Sequence, residues 1–264
     1  MNKYLVIGNP IEHSLSPKLH NFWIKTNNLD AIYEKKKLNV NEFAGLMLEV
    51  KKKNIHGINV TVPFKKAVIP YLDKLTFESE STQSVNTIYL EDNKLIGHNT
   101  DIEGFERSIQ DLKLDLINKK ALVLGAGGVV PSIIFALNKM KVSEVIISNR
   151  TKSKAESLKD LFKNIRIVEW GEIPEFDIII NATSVGLKNE DKINLDISKV
   201  GKNKFFYDVI YKPSETNFLK TGKNLGNKTE NGKKMFIYQA AASFKIWHGI
   251  EPEINEELID ILDD

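Results

Sequence analysis

The sequence predicts a two-domain α/β fold. Strand-like and helix-like apolar runs alternate along the chain, first from Tyr4 and again, with purer strands, from Lys119. A chain of 264 residues that is 42% hydrophobic buries one large core or two modest ones, and its length favours two domains. Because the alternation stops and restarts, we expect each domain to form its own sheet with helices packed against it.

The first half of the chain has a β-α-β-α-β pattern, followed by a hairpin and a helix. Apolar runs typical of buried strands cover residues 4–7, 32–38 and 57–62, and amphipathic helix patterns cover residues 17–27 and 40–52. Residues 86–99 indicate a hairpin, because two apolar runs flank Glu91-Asp92-Asn93. A helix is expected from Asp101 to about Leu112.

The second half is typical of a parallel sheet with covering helices. Strands are predicted at residues 121–125, 144–149, 165–170, 177–183 and 204–211, with helices up to Met140 and over 152–162, from about 235, and over 254–262. The polar stretch 220–234 has no clear period, so we expect it to be the loosest region, with a domain boundary near it.

Composition excludes several classes of protein. There are 37 Lys and Arg against 35 Asp and Glu, a formal net charge of +2, which does not suggest a nucleic-acid partner. The chain has no cysteine, so it has no disulfide, zinc–thiolate site or thiol nucleophile. The five histidines share no metal-type helical spacing, and we expect no metal site. No apolar stretch is long enough for a signal core or a membrane span, so a cytoplasmic location is expected.

A glycine-rich turn follows the first strand of the second half and opens a helix. Its residues are Gly125, Ala126, Gly127, Gly128 and Val129. Glycine allows a tight turn and close backbone approach to a pyrophosphate, while the helix N-terminus supplies free N–H groups. An ordinary β-to-α turn is the alternative, since Val130-Pro131 stand where the dinucleotide pattern has Gly or Ala. The turn favours a Rossmann-type, doubly wound dinucleotide-binding domain.

The end of the next strand indicates which dinucleotide is bound. An NAD-binding chain has Asp or Glu there, whereas this chain has Asn149, Arg150 and Thr151, with Lys154 a turn later. Arginine suits bidentate contact with a phosphate, and only three of the 37 basic residues are arginine. A solvated residue at a helix start is the alternative, but the pattern favours NADP(H), whose 2′-phosphate lies at this position.

Polar residues in the first half are candidates for substrate recognition. Ser14 and Ser16 suit a carboxylate or vicinal hydroxyls, although Ser16 is equally well explained as a helix N-cap. Asn59 and Thr61 share one face at the carboxyl end of a strand, where ligands of α/β sheets bind. Lys65 follows them directly, and on its own it is more simply explained as a solvated lysine.

The chain resembles the shikimate dehydrogenase family nearly from end to end. The segments that carry the resemblance are, in order, GNPIEHSLSPKLHN, NVTVPFK, VNT, NTD, GAGG, NRT, NATSVGL, YDVIY and NGKKMFIYQAA. The resemblance implies a substrate-binding domain of residues 1–101 and 235–264 and an NADP-binding domain of residues 102–234. It also implies reversible reduction of 3-dehydroshikimate to shikimate by NADPH.

The resemblance also implies roles for individual residues. The implied catalytic pair is Lys65 and Asp101. The implied substrate-binding residues are Ser14, Ser16, Thr61, Lys65, Asn86, Asp101, Tyr211 and Gln239. The implied cofactor contacts are the glycine-rich turn, the segment from Asn149 to Lys154, and Val209 and Gly232 near the nicotinamide.

Two alternatives remain from the sequence. One is an NAD-preferring quinate/shikimate dehydrogenase, against which Arg150 without an acidic neighbour argues. The other is a metabolite sensor of the same fold that has lost catalysis, against which the presence of both Lys65 and Asp101 argues. In each case the expected partner is a small molecule, and the expected assembly is a monomer or a homodimer.

Overall fold

The computed structural model describes residues 1–188, 190–198 and 200–263. The chain divides into two units, one formed by Met1–Gly104 with the segment from Ile237 onward, the other by Phe105–Phe236. The polypeptide crosses from one unit to the other within two helices, Asp101–Asp111 and Lys233–His248. The boundaries predicted from the sequence lie in these same two helices, and the substrate and cofactor roles of the domains stay a prediction.

The elements follow the order expected from the alternation. The strands are β1 (Asn2–Gly8), β2 (Ala31–Lys37), β3 (Gly57–Val60), β4 (Lys74–Leu75), β5 (Thr87–Glu91), β6 (Lys94–His98), β7 (Lys120–Leu124), β8 (Glu144–Ser148), β9 (Ile165–Val168), β10 (Ile178–Asn181), β11 (Phe205–Asp208) and β12 (Lys228–Glu230). The helices are α1 (Ser16–Thr26), α2 (Phe43–Lys51), α3 (Phe77–Thr82), α4 (Asp101–Asp111), α5 (Val130–Lys139), α6 (Lys152–Glu156), α7 (Asn217–Asn224), α8 (Lys233–His248) and α9 (Glu256–Asp263). Short 3-10 turns cover Val40–Glu42, Ile69–Tyr71 and Ser157–Asp160.

The first unit contains a mixed six-stranded sheet in the order β2-β1-β3-β5-β6-β4. β1 pairs in parallel with β2 and β3, whereas β3–β5 and β5–β6 are antiparallel. The predicted hairpin is present with a tighter connection than expected, since Glu91 still pairs with Lys94. Asp92 and Asn93 alone make the turn, with φ of 49° and 60°, which is the left-handed conformation that Asp and Asn tolerate.

The second unit contains a six-stranded sheet in the order β12-β11-β10-β7-β8-β9, and every pairing in it is parallel. This is the doubly wound order, in which the chain reverses direction between β7 and β10. Leu122, Ile146 and Ile179 on adjacent strands are fully buried, as expected for a parallel sheet covered on both faces. The predicted Rossmann-type domain is therefore confirmed.

The polar stretch 220–234 is not the loose region that was predicted. It contains the end of α7 and the edge strand β12, which pairs in parallel with β11. α7 begins at a Thr216 cap, buries Phe218, and packs Gly222 so closely on Phe206 that a Cβ there would lie 2.5 Å from the ring. The prediction failed because a three-residue, charged edge strand has no apolar period of its own.

Membrane spans and metal clusters are both absent from the described residues. None of the helices there combines the length and apolar character that a bilayer-spanning segment needs. Within the same residues, no three or more His, Asp or Glu side chains come together in a way that would hold a metal ion.

Candidate functional site

The structure brings Lys65 and Asp101 together. Lys65 lies in the loop after β3, Asp101 is the first residue of α4, and the ammonium donates to Oδ2 of the carboxylate. Their side chains are only 12% and 8% exposed, so solvent screens this pair far less than it screens surface pairs. The carboxylate also lies at a helix N-terminus, where the helix dipole favours negative charge.

Asn86 connects this pair to the rest of the site. Its Nδ2 donates to Asp101 Oδ1 at 2.9 Å, and it lies 3.4 Å from Oε1 of Gln239 on α8. Its Oδ1 accepts from the backbone N–H of Thr100 at 2.8 Å. A backbone N–H can only donate, so it determines which end of the Asn86 amide faces Asp101.

The two serines lie at the start of α1. Ser16 is the first residue of the helix, which has Leu15 at its N-cap, so Ser16 is not the capping residue that the alternative interpretation required. The Oγ atom of Ser14 instead accepts from the backbone N–H of Ser16 at 3.3 Å. Ser16 is buried, and Ser14 and Thr61 are half-buried in the segments that follow β1 and β3. All three therefore lie at the sheet edge where a ligand is expected.

The glycine-rich turn has an open backbone. Gly125 has a φ of +113°, and a Cβ there would lie 2.9 Å from the carbonyl oxygen of Ala182, so only glycine fits. Gly127 and Gly128 are exposed, and a Cβ on either would meet nothing closer than 4.0 Å. Val130 takes the third pattern position as a fully buried residue of α5. A pyrophosphate could approach the N–H groups of this turn, which fits a dinucleotide.

The residues predicted to hold the 2′-phosphate follow β8. Asn149 is half-buried, and its Nδ2 donates to the carbonyl oxygen of Thr151 at 2.7 Å, which shapes the turn. Arg150 and Lys154 are exposed. Within the described part of the chain, Arg150 has no carboxylate partner, whereas Arg166 pairs with carboxylates at 3.4 and 3.7 Å. The Arg150 guanidinium is therefore available to bind an anion.

Val209 and Gly232 lie against each other at the end of β11. A Cβ on Gly232 would lie 2.0 Å from the carbonyl oxygen of Val209, so glycine is required for this contact. Tyr211, predicted as a substrate contact, lies nearby in the same unit and stacks on Phe236 with ring centroids 4.6 Å apart. Burial raises the pKa of the Tyr211 phenol, so the hydroxyl stays protonated near neutral pH.

Sequence reasoning assigned no role to Asp208, which organises this end of β11. It is fully buried and accepts from Asn181 Nδ2 at 3.0 Å, from the Ile210 backbone N–H at 3.0 Å and from Thr216 Oγ1 at 2.6 Å. Burial raises the pKa of this carboxyl, and the three hydrogen bonds oppose that rise. Its position inside the apolar run KFFYDVIY was the available signal, since a charged residue in a buried strand requires partners.

Three family models match the chain. The "Shikimate dehydrogenase substrate binding domain" matches residues 6–88, "Shikimate / quinate 5-dehydrogenase" matches 107–209, and the "Shikimate 5'-dehydrogenase C-terminal domain" matches 234–256. A curated relative, "Shikimate dehydrogenase (NADP(+))" of Pelagibacter ubique, is 58% identical over 260 residues, which is 98% of each chain.

Solved structures agree with this assignment. The shikimate dehydrogenase of Aquifex aeolicus superimposes with a TM-score of 0.92 at 37% identity, covering 100% of this chain and 98% of that one. The shikimate 5-dehydrogenase of Thermus thermophilus, solved with NADP(H) and shikimate, has a TM-score of 0.88 at 33% identity and covers 96% and 95%. The family suggested by the sequence motifs is thus confirmed over the whole length, and the chain belongs to the shikimate dehydrogenase family.

Proposed function

We propose that this chain catalyses the reversible NADPH-dependent reduction of 3-dehydroshikimate to shikimate. The observation that carries this proposal is the buried ion pair between Lys65 and Asp101 at the carboxyl edge of a sheet. An ammonium held out of bulk water, and paired with a carboxylate that Asn86 orients, is equipped to exchange a proton with a substrate oxygen. The relatives named NADP-dependent shikimate dehydrogenases support the same reaction.

Lys65 acts on the oxygen of the reacting carbonyl. NADPH, when bound, supplies the hydride that reduces the carbonyl carbon. As negative charge grows on the oxygen, the Lys65 ammonium stabilises it and donates a proton, which yields the hydroxyl of shikimate. In the reverse direction the neutral amine takes that proton. Asp101 holds the Lys65 side chain in place and accepts a hydrogen bond from a neighbouring substrate hydroxyl.

The remaining substrate contacts are assigned by their chemistry. Ser14 and Ser16 donate hydroxyl hydrogen bonds to the substrate carboxylate, and the Ser16 side chain is already ordered by burial. Substrate hydroxyls are held by residues that can both donate and accept, which are Thr61, Asn86 and Gln239. The family resemblance adds Tyr211 to these contacts.

The second unit holds the cofactor through three groups of residues. The turn from Gly125 to Val129, whose backbone is exposed at Gly127 and Gly128, accommodates the pyrophosphate. The turn from Asn149 through Arg150 and Thr151 to Lys154 binds the 2′-phosphate. Val209 and Gly232 line the nicotinamide end. The absence of a carboxylate after β8, where NAD-binding chains place one, favours NADP over NAD.

Steady-state kinetics of the purified protein test this function. Initial rates are measured with NADP+ and NAD+, each against shikimate and quinate. We expect the highest kcat/KM with NADP+ and shikimate. A preference for NAD+ with quinate would instead establish the alternative quinate/shikimate activity, and the absence of turnover with every pair would indicate a binding protein.

We place the protein in the cytoplasm, as a monomer or a homodimer that acts on small molecules and has no nucleic-acid or membrane partner. Size-exclusion chromatography with light scattering gives the mass directly, since a monomer has 30.0 kDa. A mass above that of a dimer would contradict the proposed assembly.

A further inference from the structure

A chain of buried hydrogen bonds leads from Tyr33 on β2 to Asp101. We propose that Tyr33, Asn59 and Thr87 are positioning residues, which act through Asn86 to hold Asp101 in one orientation. This inference rests on the proposed function, because it concerns the same reaction. None of the three has a role in the substrate or cofactor contacts assigned above.

The orientation of the Asn59 side chain is determined by a backbone group. Its Nδ2 lies 3.1 Å from the carbonyl oxygen of Asn86, which can only accept, so the NH2 group must face β5. Its Oδ1 therefore faces β2, where it accepts from the Tyr33 hydroxyl at 2.7 Å. Nδ2 also lies 3.2 Å from the hydroxyls of Thr87 and of Ser243 on α8.

Thr87 links the Asn59 side chain to the Asn86 side chain by hydrogen bonds. Asn86 Oδ1 can only accept, so the Thr87 hydroxyl donates to it at 3.0 Å. The Thr87 oxygen is then left to accept from Asn59 Nδ2. The Thr87 oxygen also lies 3.3 Å from the hydroxyl of Thr100, whose backbone N–H orients Asn86 from the other side. The last hydrogen bond of the chain is the one that Asn86 Nδ2 donates to Asp101 Oδ1. The hydrogen bonds thus align the groups between Tyr33 and Asp101 in one fixed arrangement.

The residues of this hydrogen-bond chain are buried. Tyr33 is 2% exposed, Asn59 7% and Thr87 0%, so water cannot replace a lost partner at low cost. Connected hydrogen bonds polarise one another, which makes Asn86 a better donor to the carboxylate. A hydroxyl removed from these hydrogen bonds therefore leaves its partner unsatisfied.

The Thr87→Val variant tests the central link, with Thr87→Ser as the matched control. Valine keeps the shape but removes the hydroxyl, whereas serine keeps the hydroxyl. We expect kcat for shikimate oxidation to fall about tenfold in Thr87→Val, with KM for NADP+ unchanged, and to recover to within about threefold in Thr87→Ser. Circular dichroism and thermal melts confirm that each variant is folded.

A second pair of variants tests the Tyr33 end of the hydrogen-bond chain. Tyr33→Phe removes the hydroxyl that orients Asn59, and we expect about a fivefold rise in KM for shikimate and a comparable fall in kcat. Tyr207→Phe is the control, because it removes an equally buried hydroxyl, which lies 2.9 Å from Ser108 in the other unit. We expect it to lower the melting temperature without this change in shikimate kinetics.

The outcomes separate this inference from the proposed function. If the unmodified protein does not oxidise shikimate with NADP+, the proposed function is wrong. If it does, and Thr87→Val and Tyr33→Phe retain its kcat and KM, the positioning role is wrong while the function stands. Equal losses in Thr87→Val and Thr87→Ser would also overturn the inference, since the hydroxyl would not be the cause.

Discussion

Asn86 Nδ2 lies 2.9 Å from Asp101 Oδ1. The other carboxylate oxygen, Oδ2, accepts from the Lys65 ammonium. The Asp101 carboxylate therefore bridges the Asn86 amide and the Lys65 ammonium. The direction of the amide is set by the Thr100 backbone N–H, so the carboxylate that pairs with Lys65 is held in one orientation.

Replacing Lys65 with alanine should abolish most turnover without preventing substrate binding. The variant loses the group that stabilises the oxyanion and exchanges the proton, so we expect kcat to fall by about two to four powers of ten, with substrate affinity nearly intact. The measurements are kcat and the dissociation constant of shikimate. Lys66→Ala, which removes the exposed neighbouring lysine, is the control. Near-normal turnover in Lys65→Ala would remove Lys65 from the mechanism.

Replacing Arg150 with alanine should weaken NADPH binding and leave NADH binding unchanged. The guanidinium is exposed and has no carboxylate partner in the described part of the chain, so its charge is free for the 2′-phosphate. We expect KM for NADPH to rise about tenfold or more, since a charged hydrogen bond is worth about 1.5–3 kcal/mol. Arg166→Ala removes an arginine that pairs with Glu144 and Glu172 instead, and should not affect either cofactor. Equal effects on NADPH and NADH would contradict the assignment.

Replacing Gly232 with alanine should displace the backbone at Val209. The added Cβ would lie 2.0 Å from the Val209 carbonyl oxygen, and no side-chain rotation relieves a clash with backbone. We expect a loss of about 1–3 kcal/mol in unfolding free energy, together with a higher KM for NADPH. Gly201→Ala in the same unit is the control, because a Cβ there meets nothing within 4 Å. Calorimetry and cofactor titration measure the two effects, and unchanged cofactor binding would place Gly232 outside that site.

The buried His20 should make the protein less stable in mild acid. Burial lowers its pKa from 6.5 to about 3, and it stacks on Tyr33 at 4.1 Å with both ring nitrogens unpartnered. The native state therefore keeps His20 neutral while the unfolded chain takes up a proton below pH 6.5. Its contribution to stability is complete above pH 6.5 and is lost progressively as the pH falls towards 3.

Urea unfolding at pH 7 and pH 5 measures this contribution. The shift corresponds to about 2 kcal/mol between the two pH values for His20 alone. His20→Leu should reduce the pH-dependent loss of stability by that amount, whereas His13→Leu, at an exposed histidine, should retain it. An unchanged pH dependence in His20→Leu would show that other groups are responsible.

The sequence by itself determined the features that depend on local chemistry. The strand, glycine turn and helix around Gly125 could be predicted because their periodicity and backbone requirements are local. Arg150 could be singled out because its position after a strand predicts a contact with the 2′-phosphate. The family motifs indicated Lys65 and Asp101, although spacing along the chain did not show that they form an ion pair.

Only the tertiary structure decided how these residues are held. The Asn59 amide bonds to β2, β5 and Ser243, which is 184 residues further along the chain, and no local pattern indicates such partners. The buried Asp208 likewise depends on Asn181, from another strand, as well as on the nearby Ile210 and Thr216. Burial makes each unmet hydrogen bond costly, so the packed structure selects one orientation for each amide and hydroxyl. That selection, which positions Asn86 and Asp101, exists only after the strands and helices have come together.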